Sequence, residues 1–99
     1  MDKKVNVWEE MGNVGKSFME MVQTNSSESA LDAKTHHLAY LAVMAATGLE
    51  SGIAWHVKAL KKQGATRDEI KSAVLVGIPA VGMHIMKPLE LALEAYDNE

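Results

Sequence analysis

The segment that most constrains the fold is a run of nine apolar residues, Leu38-Ala39-Tyr40-Leu41-Ala42-Val43-Met44-Ala45-Ala46. A helix built from this run is apolar on every side, and such a helix lies inside an assembly rather than on its surface. Apolar residues recur at helical spacing elsewhere in the chain, and no segment shows the sustained alternation of a half-buried strand. The sequence therefore predicts an all-α fold of about five helices with short connections.

Turn and cap residues divide the chain into these helices. Ser29 or Asp32 begins the second helix, because either side chain can accept a hydrogen bond from a free amide at a helix start. Gly48 interrupts the pattern, and Gly64 suits the left-handed residue that ends a helix. The predicted helices run from Val5 to Val22, from Ser29 or Asp32 to Gly48, over Ile53 to Leu60, from Thr66 to about Met86 with a kink at Pro79, and from Pro88 onwards.

The segment Thr66-Arg67-Asp68-Glu69 carries the clearest local signal. Its threonine and glutamate have the spacing of a capping box, in which each side chain binds the other residue's backbone amide. Ala65 and Ile70 flank the box as a hydrophobic staple would. This segment predicts a sharply defined helix start.

The composition indicates one domain, residues 1–99, that assembles with other copies of itself. The chain has 99 residues, of which 47% are hydrophobic and 23% charged. A domain this small buries only a limited share of its surface, so its excess apolar surface predicts a homo-oligomer. The net charge of −3 and the scattered lysines do not form a phosphate-binding stripe, so we expect no nucleic-acid partner.

Membrane and redox chemistry are also disfavoured. The segment Met1–Val5 lacks the apolar run of a signal peptide, and the uncharged stretch Ser72–Met83 is too short to cross a bilayer. We therefore expect a cytoplasmic protein without a membrane partner. The chain has no cysteine, which excludes disulfides, thiolate nucleophiles and thiolate metal ligands.

Three blocks in order carry a resemblance to a known family. They are Leu31–Leu38 (LDAKTHHL), Gly48 with His56, and Gly64–Ile70 (GATRDEI). Together they resemble the carboxymuconolactone decarboxylase and alkylhydroperoxidase D-like family over about residues 29–95. The resemblance implies an all-helical subunit that assembles into trimers or hexamers.

The peroxidase-like branch of that family implies a Cys-x-x-Cys pair followed by a histidine, with a glutamate that relays protons to the thiols. At the matching positions this sequence has Leu49 and Gly52 for the cysteines, His56 for the histidine and His37 for the glutamate. Ser51 stands where the family often has another histidine. Peroxide reduction by this route needs two thiols, so we expect no alkylhydroperoxidase or peroxiredoxin-type activity.

The decarboxylase branch lacks the cysteine pair and keeps a histidine at the place of His56. The resemblance then implies lyase-type acid–base chemistry on a small lactone or carboxylate, with no cofactor. Imidazole suits this work because its pKa lies near operating pH. If His37 and His56 approach each other, they titrate in coupled steps and one ring stays neutral near pH 7. The branch's arginine and glutamate have no evident counterpart; Glu50 is the nearest carboxylate in sequence.

Glycine in place of a cysteine predicts open space beside His56. We expect a small-molecule pocket there, and its predicted lining residues are Leu49, Ser51, Gly52, Ile53, Trp55 and His84.

Less specific interpretations stay open. His56 can be a structural histidine at a helix contact, and His37 can face solvent or a neighbouring subunit. With His84 they make three imidazoles, enough for zinc, but their spacing is not a local ligand motif, so no metal is predicted. The alternative to an enzyme is a non-catalytic helical oligomer that binds a small ligand.

Overall fold

The computed structural model describes residues 3–98, and these residues form helices, turns and no strand. The all-α prediction is therefore confirmed. Met1, Asp2 and Glu99, which belong to the predicted single domain of residues 1–99, lie outside the described residues. The backbone divides into two compact units, residues 1–30 and residues 31–99.

The first unit contains two helices, α1 (Val7–Met11) and α2 (Asn13–Ser27). The Asn6 side chain starts α1 by accepting hydrogen bonds from the amides of Trp8 and Glu9. The sequence predicted one helix here, and that prediction is wrong at Gly12. This residue has φ of 55°, a conformation that glycine adopts without the steric cost of a Cβ, so the helix stops and starts again.

The second unit carries the remaining helices and the histidines. Its α-helices are α3 (Ala33–Thr47), α4 (Ile53–Lys62), α5 (Arg67–Leu75), α6 (Ile78–Val81) and α7 (Met86–Asp97), and its 3₁₀ helices are Glu50–Gly52 and Gly82–Ile85.

The caps of α3, α4 and α5 confirm the local predictions. Asp32 accepts a hydrogen bond from the Thr35 amide at 2.8 Å and so begins α3. Gly48 ends the same helix with φ of 75°, and Gly64 follows α4 with φ of 91°. Thr66 begins α5, where the Glu69 amide donates to its hydroxyl at 3.1 Å and the Thr66 amide donates to the Glu69 carboxylate at 2.9 Å.

The predicted fourth helix ends much earlier than expected. It stops at Leu75, and the chain turns at Gly77, where a Cβ would lie only 3.1 Å from the Cβ of Ala46. Glycine thus allows the backbone to pack closely against α3. A second break follows at Gly82, which has φ of 63°.

The two prolines start helices rather than bending one. Pro79 lies in the first turn of the short helix α6, where its missing N–H leaves no hydrogen bond unmade. Pro88 lies in the first turn of α7, which begins at Met86 instead of at the proline itself. The predicted kink is therefore replaced by two helix starts.

The core of the second unit joins α3, α4, α5 and α7. Its fully buried side chains are 0–1% exposed and include Leu41, Ile53, Val57, Leu60, Ile70, Val74, Ile85 and Ala92. Removing such side chains from water supplies the main driving force that holds the helices together. Because Leu41 and Ile53 belong to this core, the facing sides of α3 and α4 are held in fixed register.

Polar contacts between distant residues support the same arrangement. The Lys34 ammonium group lies 3.1 Å from the Glu69 carboxylate and connects α3 with α5. The Lys61 ammonium group donates to the Tyr96 carbonyl at 2.9 Å, and the Tyr96 hydroxyl donates to the Ala65 carbonyl at 3.0 Å. These contacts tie the end of α4 to α7.

The apolar helix α3 is open to solvent on one side within the single chain. Leu41 and Met44 are buried, whereas Val43 is 57% exposed. The expectation that an assembly encloses this helix stays a prediction.

Among residues 3–98, one helical run, Arg67–Asp97, is long and apolar enough to cross a membrane by length and composition alone. The turn at Gly77 and the positive φ of Gly82 interrupt this run. A bilayer interior does not hydrate the backbone groups that such interruptions free. The absence of a membrane partner stays an expectation from the sequence.

Candidate functional site

Two histidines from different helices meet at the centre of the candidate site. Nε2 of His37, on α3, lies 2.7 Å from Nδ1 of His56, on α4. The ring centroids are 5.0 Å apart and the rings are nearly perpendicular, at 88°. This distance is that of a hydrogen bond, so one nitrogen donates and the other accepts. We call the two residues the histidine pair.

Gln63 extends the pair by one more contact. Its Oε1 lies 3.1 Å from Nδ1 of His37, on the side of that ring opposite to His56. Gln63 follows the last residue of α4, and its backbone amide donates to the carbonyls of Ala59 and Leu60. The helix end therefore fixes the position from which its side chain reaches back towards α3.

Aromatic rings surround His56 on its other sides. Tyr40 lies edge-on to it with centroids 5.0 Å apart, and Trp55 does so at 4.8 Å. Trp55 is 69% exposed and Tyr40 is 42% exposed, so both rings also face solvent. The imidazole is thus half-buried among rings at the surface of the second unit.

The surroundings of His56 favour its neutral form. Burial lowers the pKa of His56 below its ordinary value, and the nearby charge of His37 acts in the same direction. Both causes are physical consequences of the pairing, because a buried cation loses hydration and two like charges repel. A neutral imidazole has one nitrogen with a free electron pair and can act as a base.

The space expected beside Gly52 is filled. A Cβ built on Gly52 would lie 3.0 Å from Cε of Met44 and 4.0 Å from Nε2 of His56. The flexible methionine side chain has moved into the room that a cysteine would need, as methionine often does in irregular gaps. The end of the Met44 side chain therefore lies in the room next to Gly52, and the edge of His56 that carries Cδ2 and Nε2 lies close to the same glycine.

The other predicted pocket residues differ in burial and in the element that carries them. Ile53 is fully buried in the core, and Leu49 is 52% exposed on the turn before it. Ser51 is exposed on the same turn, within the 3₁₀ helix Glu50–Gly52. His84 is exposed in the 3₁₀ helix Gly82–Ile85, a separate part of the unit. Trp55, the remaining predicted pocket residue, contacts the His56 ring.

No group of three histidine, aspartate or glutamate side chains within residues 3–98 is arranged to hold a metal ion. The open possibility that His37, His56 and His84 form a zinc site therefore has no geometric support.

A groove lies on a different side of α3, between that helix and α5. Its volume is about 610 Å³, and its lining is mostly apolar. The lining residues are Thr35, Leu38, Ala39, Ala42, Val43, Asp68, Glu69, Ser72, Ala73 and Val76. Neither histidine of the pair lines this groove.

Three residues of the site were not predicted from the sequence: Tyr40, Met44 and Gln63. Helical spacing could have found them, because residues three, four or seven positions apart lie on the same face. Tyr40 and Met44 follow His37 at such positions on α3, and Gln63 follows His56 across the end of α4. The sequence pattern places Tyr40 in the apolar run and indicates Met44 as a gap-filling core residue of that run.

Comparison with known proteins agrees with the resemblance that the sequence blocks indicate. No curated protein and no solved structure matches this chain significantly. The family model described as the carboxymuconolactone decarboxylase family matches residues 13–94. This match includes α2 and ends at residue 94, one residue before the end of the predicted region 29–95. It covers the histidine pair and most of the chain, which therefore belongs to the carboxymuconolactone decarboxylase family.

Proposed function

We propose that this protein is a cofactor-independent acid–base enzyme that acts on a small lactone or carboxylate, with His56 as the group that takes up a proton and delivers it to the substrate, and His37 as its partner. The observation that carries the proposal is the 2.7 Å contact between the two imidazoles. Family membership supports the general reaction class, since decarboxylation is the chemistry in the family's name.

The two rings have different roles in this proposal. Nε2 of His56 faces the place beside Gly52 and is the nitrogen that exchanges a proton with the substrate. Nδ1 of His56 is engaged with His37. When His56 takes up a proton, the positive charge is shared through this hydrogen bond, which stabilises the imidazolium.

For a lactone carboxylate, the proposed reaction is a decarboxylation. The bond between the carboxylate carbon and the ring breaks, CO₂ leaves, and the electron pair stays on the substrate as an enolate of the lactone carbonyl. Protonated His56 donates its Nε2 proton to the carbanionic carbon, and the ring regains a proton from water. A bound carboxylate favours this protonated form because an opposite charge raises an imidazole pKa.

The test uses carboxymuconolactone and a panel of small lactone carboxylates, with release of CO₂ and loss of substrate as measurements. His56→Gln should lower kcat by about 10²–10⁴-fold, the usual contribution of general acid–base catalysis. His84→Gln is the matched control, since His84 is exposed and lies outside the pair. Turnover that survives in a folded His56→Gln protein would exclude His56 as the group that delivers the proton.

A second function is favoured by the closed space beside Gly52. Cε of Met44 lies 3.0 Å from the Cβ position on Gly52, and Nε2 of His56 lies 4.0 Å from the same position, so Met44 takes up room that a substrate could use near this nitrogen. A non-catalytic helical protein that binds a small ligand elsewhere needs no such approach. NMR titration of the same compounds separates the two functions: binding shifts without turnover, unchanged in His56→Gln, would favour the non-catalytic one.

Peroxidase activity remains a disfavoured third function. The chain has no cysteine to form the sulfenic acid and disulfide of that reaction. With a dithiol reductant, the rate of peroxide consumption in the presence of the protein should equal the rate without it.

The proposed partner is a second copy of the chain, in a trimer or hexamer. Large apolar side chains that are exposed in the single chain support this proposal, among them Val43, Trp55, Val76 and Met83. Val43 and Val76 line the same apolar groove, and exposed apolar patches mark protein–protein interfaces. Light scattering coupled to size exclusion measures the mass directly, and a monomer at micromolar concentration would contradict the proposal.

A further inference from the structure

We propose that Gln63 is a positioning residue that fixes the direction of the hydrogen bond between His37 and His56 and so leaves Nε2 of His56 as the free basic nitrogen. The role of that nitrogen in catalysis rests on the proposed function, whereas the direction of the hydrogen bonds is a property of the protein alone.

The argument begins at the amide of Gln63. Its Oε1 faces Nδ1 of His37 at 3.1 Å, and a carbonyl oxygen only accepts hydrogen bonds. Nδ1 of His37 therefore carries the proton. In a neutral imidazole the other nitrogen then has no proton, so Nε2 of His37 accepts.

The same step repeats at the second ring. Nε2 of His37 lies 2.7 Å from Nδ1 of His56, and since it accepts, Nδ1 of His56 donates. Neutral His56 then has its free electron pair on Nε2. This nitrogen is 4.0 Å from the position of a Cβ on Gly52, and the surroundings hold His56 in its neutral form.

The direction of the hydrogen bond between His37 and His56 matters because either ring could be the donor. Without an acceptor beside Nδ1 of His37, that ring is free to carry its proton on Nε2, the form that histidine favours in water. It would then donate to Nδ1 of His56, and Nε2 of His56 would hold a proton instead of an electron pair. One surface amide thus decides whether His56 can act as a base.

The position of Gln63 suits this role. Its backbone is held by the last turn of α4 through the carbonyls of Ala59 and Leu60, while the side chain is exposed. Because the side chain is outside the core, its substitution should not unfold the protein.

The experiment is ¹⁵N NMR of the imidazole nitrogens at a pH where both rings are neutral, with the full chain and no ligand. In the unsubstituted protein, the signals of His37 and His56 should both be those of the Nδ1–H form. Gln63→Leu should shift both rings to the Nε2–H form, and Gln63→Glu, which keeps an accepting oxygen, should retain the Nδ1–H form. Lys62→Leu, a change at the neighbouring exposed residue of α4, should alter neither ring.

Two results would overturn the inference: an Nε2–H form of His56 in the unsubstituted protein, or spectra unchanged by Gln63→Leu. If a substrate is turned over, Gln63→Leu should lower kcat by about 10²-fold with little change in KM, as expected when a base is held in the wrong tautomer. The predicted tautomers without any turnover would contradict the proposed function and support the inference. Turnover by a protein with the opposite tautomers would support the proposed function and contradict the inference.

Discussion

His37 and His56 are 19 residues apart in the sequence, yet their Nε2 and Nδ1 atoms lie 2.7 Å apart. The buried side chains of α3 and α4 hold the two helices so that these rings meet edge to face. A pair of this kind cannot take up two protons easily, because the second charge is placed against the first.

The stability of the protein should fall as the pH is lowered from about 7.5 to 5.5. The pKa of His56 is lowered in the folded state, so below its ordinary value of about 6.5 the unfolded chain binds more protons than the folded one. The contribution of His56 to the free energy of unfolding is therefore full above about pH 6.5, and it is lost as the pH falls towards the pKa of His56 in the folded state. Urea unfolding at several pH values measures the change.

His56→Gln should make that decrease smaller, and His84→Gln should leave it unchanged. The carboxyl groups whose pKa values are lowered, Asp32, Glu69 and Asp97, act in a separate window near and below about pH 4.5. If the free energy of unfolding fell equally with pH in the His56→Gln protein, His56 would not be the cause of the pH dependence.

The fluorescence of Trp55 should report protonation of His56. Their rings lie 4.8 Å apart, and an imidazolium quenches indole emission more strongly than neutral imidazole does. In a Trp8→Phe protein, which leaves Trp55 as the single tryptophan, emission should decrease on acidification with a midpoint below about 6.5. Adding His56→Gln should abolish the transition; a midpoint above 6.5 would contradict the lowered pKa.

Met44→Ala should destabilise the protein by about 2–5 kcal/mol, as large-to-small changes in a core do. Met44 is 2% exposed, and its methyl group fills the space beside Gly52. The same change should open access to Nε2 of His56, so that His56 reacts faster with diethyl pyrocarbonate. Met83→Ala is the control, because Met83 is 68% exposed and should change stability by no more than about 0.5 kcal/mol.

Thr66→Ala should cost about 1 kcal/mol of stability, the usual effect of removing a helix cap. The Thr66 hydroxyl accepts from the Glu69 amide at 3.1 Å, and alanine leaves that amide without this partner. Thr66→Ser keeps the hydroxyl and should retain most of the stability. Thermal unfolding followed by circular dichroism measures both, and equal losses in the two proteins would show that the cap hydroxyl is not the cause.

The family resemblance identified the two histidines at the centre of the site but not the residues around them. The resemblance placed His37 and His56 at two functional positions, but it did not say what lies between or around them. The structure adds Gln63 and Tyr40, and it places the end of the Met44 side chain next to Gly52. Helical spacing relates Tyr40 and Met44 to His37, and Gln63 to His56, but the contacts themselves join α3 to α4 and the turn before it, which local spacing does not show.

Helix starts and stops were determined largely by the sequence itself. Asp32, Gly48, Gly64 and the capping box at Thr66 act through hydrogen bonds or backbone angles within a few residues, so their effect can be read from the neighbouring letters. Tertiary structure decided the rest. Gly77 breaks a helix where the backbone approaches Ala46, and Met44 closes the space at Gly52, because packing density is set by which helix faces meet.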